Sequence, residues 1–245
     1  MTTRARTHSP SLLSRAAAIL TLAAFIQPAG TQNPEMQQKV QEIKQSQAAN
    51  KQQLAKYTWQ ETQTISLKGE VKKVNTFLVS TGPNGQQQKT PIGEPAAQSG
   101  GGGAGGGGRL KKHIVEKKKE EFEEYAQQIA ALAKQYAQFD PDTLQQAVQK
   151  GNVSFEPGGE GVMTLTIKSY LKPNDQVSLT FNRQQKGIQS FNVSSYLNDP
   201  SDAVKISAQF ARIPNGPNHV STMQIDGVSK QLTVNQQNSN YQLAS

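Results

Sequence analysis

Between Gly161 and Gln237 the chain repeats one pattern: a short run of alternating apolar and polar residues, then a turn. Met163, Leu165 and Ile167 share one parity, and so do Val177, Leu179 and Phe181. Phe191, Val193 and Leu197 follow, then Val204, Ile206, Ala208 and Phe210, then Met223 and Ile225, then Leu232 and Val234. A period of two places alternate side chains on opposite faces of a strand. The separators carry turn chemistry: Lys172–Pro173–Asn174–Asp175, Gln185–Lys186–Gly187, Asn198–Asp199–Pro200, Pro214–Asn215–Gly216 and Asp226–Gly227. Consecutive strands joined by short turns make an antiparallel meander, here with one greasy and one wet face. Such a sheet must cover its apolar face with something.

The rest of the chain supplies a hairpin and a cover. "YTWQETQTISLKG" places Tyr57, Trp59, Ile65 and Leu67 on one parity, and "VKKVNTFLVS" forms the partner strand across a turn at Lys68–Glu70. Residues 33–56 read as a glutamine-rich amphipathic helix with a thin apolar stripe (Met36, Val40, Ile43, Leu54), suited to a surface. Asn33 and Pro34 start it as cap and first helical residue. Residues 109–139 form the one strongly amphipathic helix, with Phe122, Tyr125, Ile129, Leu132 and Tyr136 in a stripe. A short helix over "DPDTLQQAVQKGN" follows. The expected fold class is α+β: a curved antiparallel sheet, an open half-barrel of roughly 8–9 strands, packed on the long helix.

The N-terminus reads as an export signal. Arg4, Arg6 and Arg15 precede an apolar run over residues 16–26, with small residues at Ala29 and Gly30. The run is shorter than the about 20 residues that a membrane span needs. The expected organisation is a signal peptide (1–30), a helical segment (31–56), and one α+β domain (57–245) carrying a flexible glycine-rich insertion at 81–108. The expected location is periplasmic or secreted, with no transmembrane span in the mature chain. There is no cysteine, so disulfides and thiol chemistry are excluded. The chain carries +8, and removing three arginines and no acids leaves +5, modest beside the dense basic face of a nucleic-acid binder.

No motif carries catalysis or binds a cofactor. Residues 100–108 hold eight glycines in nine positions. A phosphate loop needs lysine and then serine or threonine after its last glycine, and Gly108 is followed by Arg109 and Leu110. Eight glycines also carry a high entropic cost of ordering, so this stretch reads as a tether. His113 and His219 are too few for a metal site and read as surface histidines. The acidic residues after residue 139 fall in turns, and no Gly-x-Ser-x-Gly elbow occurs. Basic residues gather at Arg109, Lys111 and Lys112, where cations oppose the helix dipole, so contact with an anionic membrane surface is one expected role. A solvated helix face with partly paired charges is the plainer account of the same cluster.

The order of elements, carried by "YTWQETQTISLKGEVKKV" and by the meander from "MTLTIKSYLKPND" to "LTVNQQ", resembles the periplasmic lipoprotein-carrier (LolA/LolB-like) fold. The sequence is also similar to exported proteins of Gram-negative bacteria. The carrier resemblance implies an apolar cavity between sheet and helix that accepts an acyl chain or similar ligand. Trp59, Phe122, Tyr125, Ile129, Phe181, Phe191 and Phe210 are the candidate lining residues. The alternative is a non-enzymatic envelope structural or interaction protein with a solid core, whose basic helix is its working surface.

Overall fold

In the computed structural model, which describes residues 34–93, 109–137 and 141–244, the elements in chain order begin with α1 (Pro34–Leu54), β1 (Tyr57–Leu67), β2 (Glu70–Thr81) and β3 (Gln87–Pro91). Then come α2 (Arg109–Ala137), α3 (Pro141–Gln149), β4 (Val153–Pro157), β5 (Val162–Lys168) and β6 (Gln176–Asn182). The chain closes with β7 (Gly187–Tyr196), β8 (Ala203–Arg212), β9 (Asn218–Gly227) and β10 (Leu232–Leu243). The expected signal peptide and the run of glycines lie outside the described residues.

The strands form one antiparallel, curved and unclosed sheet in the order β3-β2-β1-β10-β9-β8-β7-β6-β5-β4. The meander is a run of neighbours, as the turn chemistry requires. The turn between β1 and β2 is the two residues Lys68 and Gly69, with φ of 52° and 81°. Positive φ at both positions suits the twist of a tight hairpin. The sheet has ten strands, two more than the lower expectation. β3 lies inside the stretch expected to be a flexible insertion. All five of its residues are exposed, so it pairs with β2 through its backbone alone and leaves no apolar period to read. β4 offers only Val153 and Phe155 as alternating apolar residues. β10 runs on to Leu243 and pairs with β1, from Leu67↔Leu232 to Tyr57↔Leu243, which joins the N-terminal hairpin to the meander.

One face of the sheet, called the inner face below, carries the core. Met163, Leu165, Ile167, Val177, Leu179, Phe181, Val193, Val204, Ile206 and Ile225 are buried there. They share their cluster with Tyr125, Ile129, Leu132 and Tyr136 of α2 and Leu144 of α3. Burial of one such aliphatic side chain contributes about 1.5–3 kcal/mol. α1 belongs to the same compact unit as the sheet. Its stripe does not merely rest on a surface: Val40 and Ile43 enter the core cluster. The amide of Asn50 both donates to the Asn218 carbonyl and accepts from the Asn218 N–H, each at 2.7 Å. Specific polar contacts thus supplement a stripe that is thin in apolar residues.

Two tyrosines tie α2 to the sheet's turns. Tyr136 donates to the buried carboxylate of Asp175 at 2.5 Å and lies 2.7 Å from the Ser195 hydroxyl. Asp175 also accepts from the backbone N–H groups of Tyr170, Leu171 and Lys172. Placed in a turn as its sequence context implies, Asp175 is nonetheless buried, because four donors surround it. Tyr125 donates to Asp202 at 3.0 Å, and its ring lies against Gly227. A Cβ at position 227 would stand 2.5 Å from the ring. Gly227 therefore makes room for a tyrosine. It ends β9, and the positive φ of this connection, 52°, falls at Gln231.

Candidate functional site

The candidate lining residues fall into two places. Tyr125, Ile129 and Phe181 are buried in the core cluster, and Phe122, Phe191 and Phe210 pack half-buried against it. Ile129 and Phe181 are each 0% exposed, so their neighbourhood is filled by protein. Trp59 does not join them. It is buried apart from that cluster, on the stretch of sheet formed by β1, β2 and β3.

A strip of half-buried apolar residues borders the filled core. Ile65 pairs with Val234, and Val234 pairs with Ile225 of the core. Met223 is the next residue of that parity on β9 and pairs with Ala208, which also pairs with Phe191. Phe210 follows Ala208 on the same parity of β8. Ile65, Phe191, Phe210, Met223 and Val234 all remain partly accessible while packed against the core.

Further along β1 the inner face changes character. Alternation carries it from Ile65 through Gln63 and Glu61 to Trp59, with β1–β2 pairing unshifted between Trp59 and Ile65. Glu61 is 1% exposed. Its carboxylate accepts from Lys89 of β3 at 2.5 Å and from the Gln63 amide at 2.6 Å. A carboxylate that deep is tolerable only when paired and hydrogen-bonded. The Trp59 ring stacks on Tyr241 with centroids 5.5 Å apart and planes 20° from parallel. A register shift in the β1–β10 ladder between Thr58 and Gln60, with Asn240 at φ 55°, brings Tyr241 to this place. His219 lies against the other ring neighbour, its centroid 4.0 Å from that of Tyr241. The Val220 carbonyl collects the Tyr241 hydroxyl at 3.2 Å and the Asn238 amide at 2.9 Å. Burial first, and the Glu61 charge second, push the Tyr241 hydroxyl well above the ordinary tyrosine range. The indole nitrogen of Trp59 is buried and has no hydrogen-bond partner among the described residues.

His219 is thus a packed histidine, not a surface one. Glu61, Lys89, His219 and Tyr241 were not among the sequence candidates. The available signal was Glu61: it shares the parity of Trp59 and Ile65 in β1, and a charged residue on a core-facing parity needs a partner. A depression of about 200 Å³ lies on β1, β9 and β10, where Thr62, Thr64, Thr222, Asn235 and Gln237 contribute to its rim. These five residues have the opposite parity to the core and belong to the outer face, while Met223 and Gln236, of the core-facing parity, also line the depression. Arg109, Lys111 and Lys112 lie in the first turn of α2, and their side chains fall outside the described residues.

Among the described residues no group of three or more histidines, acids or cysteines is placed to hold a metal. No described helix is long and apolar enough to cross a membrane. Comparison of the chain with protein-family models, with curated proteins and with solved structures finds no match.

Proposed function

We propose that this chain is an exported protein that binds or carries an apolar, acyl-type ligand between the inner face of its sheet and α2. The observation that carries this is the half-buried strip Ile65, Phe191, Phe210, Met223 and Val234, continuous with the core. It is apolar surface beside a helix whose half-buried Phe122 and Ala126 pack on the same cluster. Movement of α2 would lengthen the strip into a cleft. The resemblance to the lipoprotein-carrier order of elements supports the same conclusion, as does the expected export to the periplasm or beyond. Arg109, Lys111 and Lys112 would then meet anionic headgroups and bring the α2 end to a donor membrane.

The test is transfer of a fluorescent acyl ester between two vesicle populations. Transfer faster than in buffer, slowed by Phe210→Asp, is the expected result. Lys111→Glu with Lys112→Glu slows it further on vesicles rich in anionic lipid. No acceleration by the wild-type protein, and no lipid retained on mild extraction, would reject the carrier.

One observation favours a second conclusion. Ile129 and Phe181 are completely buried, which suits a solid core and an envelope interaction protein that works through its surface. In that case acyl transfer is absent, and a pull-down from envelope extract recovers a stable partner that the Lys111→Glu and Lys112→Glu changes release.

A further inference from the structure

We propose that Trp59 marks a headgroup subsite: its indole N–H donates to an acceptor oxygen in the uncharged polar head of an amphipathic ligand. This deepens the ligand-binding function proposed above and rests on it. An indole nitrogen can only donate, so its partner must be an acceptor. Leaving a buried donor unpaired costs about 1–3 kcal/mol. At 3% exposure Trp59 cannot draw that partner from bulk solvent without an opening of the site.

The neighbouring charges decide the class of acceptor. Lys89 is already engaged with the buried Glu61 carboxylate, so the pair is neutral overall. A further anion would sit beside that carboxylate in a poorly solvated place, where like charges repel strongly. An ester, amide or hydroxyl oxygen meets no such repulsion. A carboxylate or phosphate head is therefore disfavoured. The remaining inner positions agree. From Trp59 to Gln63 is four residues, about 13 Å of strand, and on this parity it bears Glu61 and Gln63, with Gln236 and Asn238 paired opposite on β10. At Ile65 and Val234 the face turns apolar and runs into the strip beside the core. The polar rows suit a neutral head with several hydrogen-bonding groups, and the apolar rows suit its chain. Lys89, whose side chain is 38% exposed on an edge strand, is the solvent-facing member of the pair beside Trp59.

The chain has one tryptophan, so its indole N–H gives a single cross-peak in a proton–nitrogen correlation spectrum. The probes are a monoacylglycerol and the fatty acid of the same chain length, each below its aggregation limit, with uptake followed by native mass spectrometry. The expected result is that the monoacylglycerol is taken up and moves the indole peak, while the fatty acid binds at least several-fold more weakly. Trp59→Phe keeps the ring stack and removes the donor. It should weaken monoacylglycerol binding by about three- to tenfold, the worth of one neutral hydrogen bond, and leave uptake of an apolar dye unchanged. Uptake of the monoacylglycerol with an unmoved indole peak overturns the subsite alone and assigns the donor to a bound water. Tighter binding of the fatty acid also overturns it. Uptake of neither amphiphile overturns the ligand-binding function and the subsite together. The wild-type spectrum decides the matter even if the variant does not fold.

Discussion

The two ends of the inner face follow the same alternation and reach opposite results. From β4 to β9 most inward positions are aliphatic or aromatic, and they share one buried cluster with residues of α1, α2 and α3. From β10 through β3 the inward positions include Gln236, Asn238, Gln63, Glu61 and Lys89, and the aromatic rings stack on one another. The first region is held mainly by apolar burial, which is non-directional, with the Asp175 carboxylate and its four donors as a local polar anchor. The second is held by directional contacts around a buried charge, where one missing partner is costly. A sheet can therefore continue its strand pairing across all ten strands while its inner face passes from an apolar core to a polar, aromatic region.

The comparison breaks most severely at Asp175. Asp175→Ala removes the acceptor for Tyr136 and for three backbone N–H groups, and should cost about 3–5 kcal/mol. Thermal unfolding followed by circular dichroism measures it. If the filled end organises the fold, the lone tryptophan should lose its folded fluorescence at the same lowered temperature as the backbone signal. Separate transitions would show two independently stable ends.

Gly227→Ala tests packing alone, because the new Cβ meets the Tyr125 ring. It should destabilise by about 1–3 kcal/mol, and adding Tyr125→Leu should recover part of the loss in the same denaturation experiment. Lys89→Met tests the polar end. It strips the charged partner from a buried carboxylate and leaves only the Gln63 amide, so the expected loss is about 1–3 kcal/mol, held down because Lys89 itself is partly solvated. A changed tryptophan spectrum should accompany the lowered unfolding midpoint. Unchanged fluorescence would mean that the ion pair does not shape the Trp59 site.

Alkaline pH gives the smallest effect near neutrality. The hydroxyls of Tyr136 and Tyr241 are raised by burial, and Tyr125 is raised as well. A group whose folded pKa is raised binds its proton more tightly when folded. Stability is therefore constant below the unfolded tyrosine pKa of about 10 and falls as pH rises beyond it. Urea unfolding at pH 7 and pH 8.5 should differ little, whereas pH 11 should be measurably weaker. Tyr136→Phe should flatten that fall at the filled end.

The meander was legible because period-two alternation and turn residues are local properties. Lys68–Gly69, Asn174 and Asn215 adopt the positive φ that their turns require. The stripe of α2 was legible for the same reason, since Tyr125, Ile129, Leu132 and Tyr136 recur at helical spacing and are all buried. β3 was not, because its strand comes from backbone pairing to β2 and not from an apolar pattern. The place of Trp59 was half legible. Its parity announced burial, but its separation from the core depends on β10 returning to pair with β1, a contact between residues far apart in the chain.

By itself the sequence determined the broad class of fold, the positions of five turns in the meander and the faces that must be hidden, because each follows from local periodicity and local backbone preference. The tertiary structure alone decided that Gly227 serves a tyrosine ring, that Asp175 is a buried anchor, and that Glu61, Lys89, His219 and Tyr241 gather round Trp59. Those outcomes depend on register and on the pairing of distant strands, which no residue encodes by its own preference.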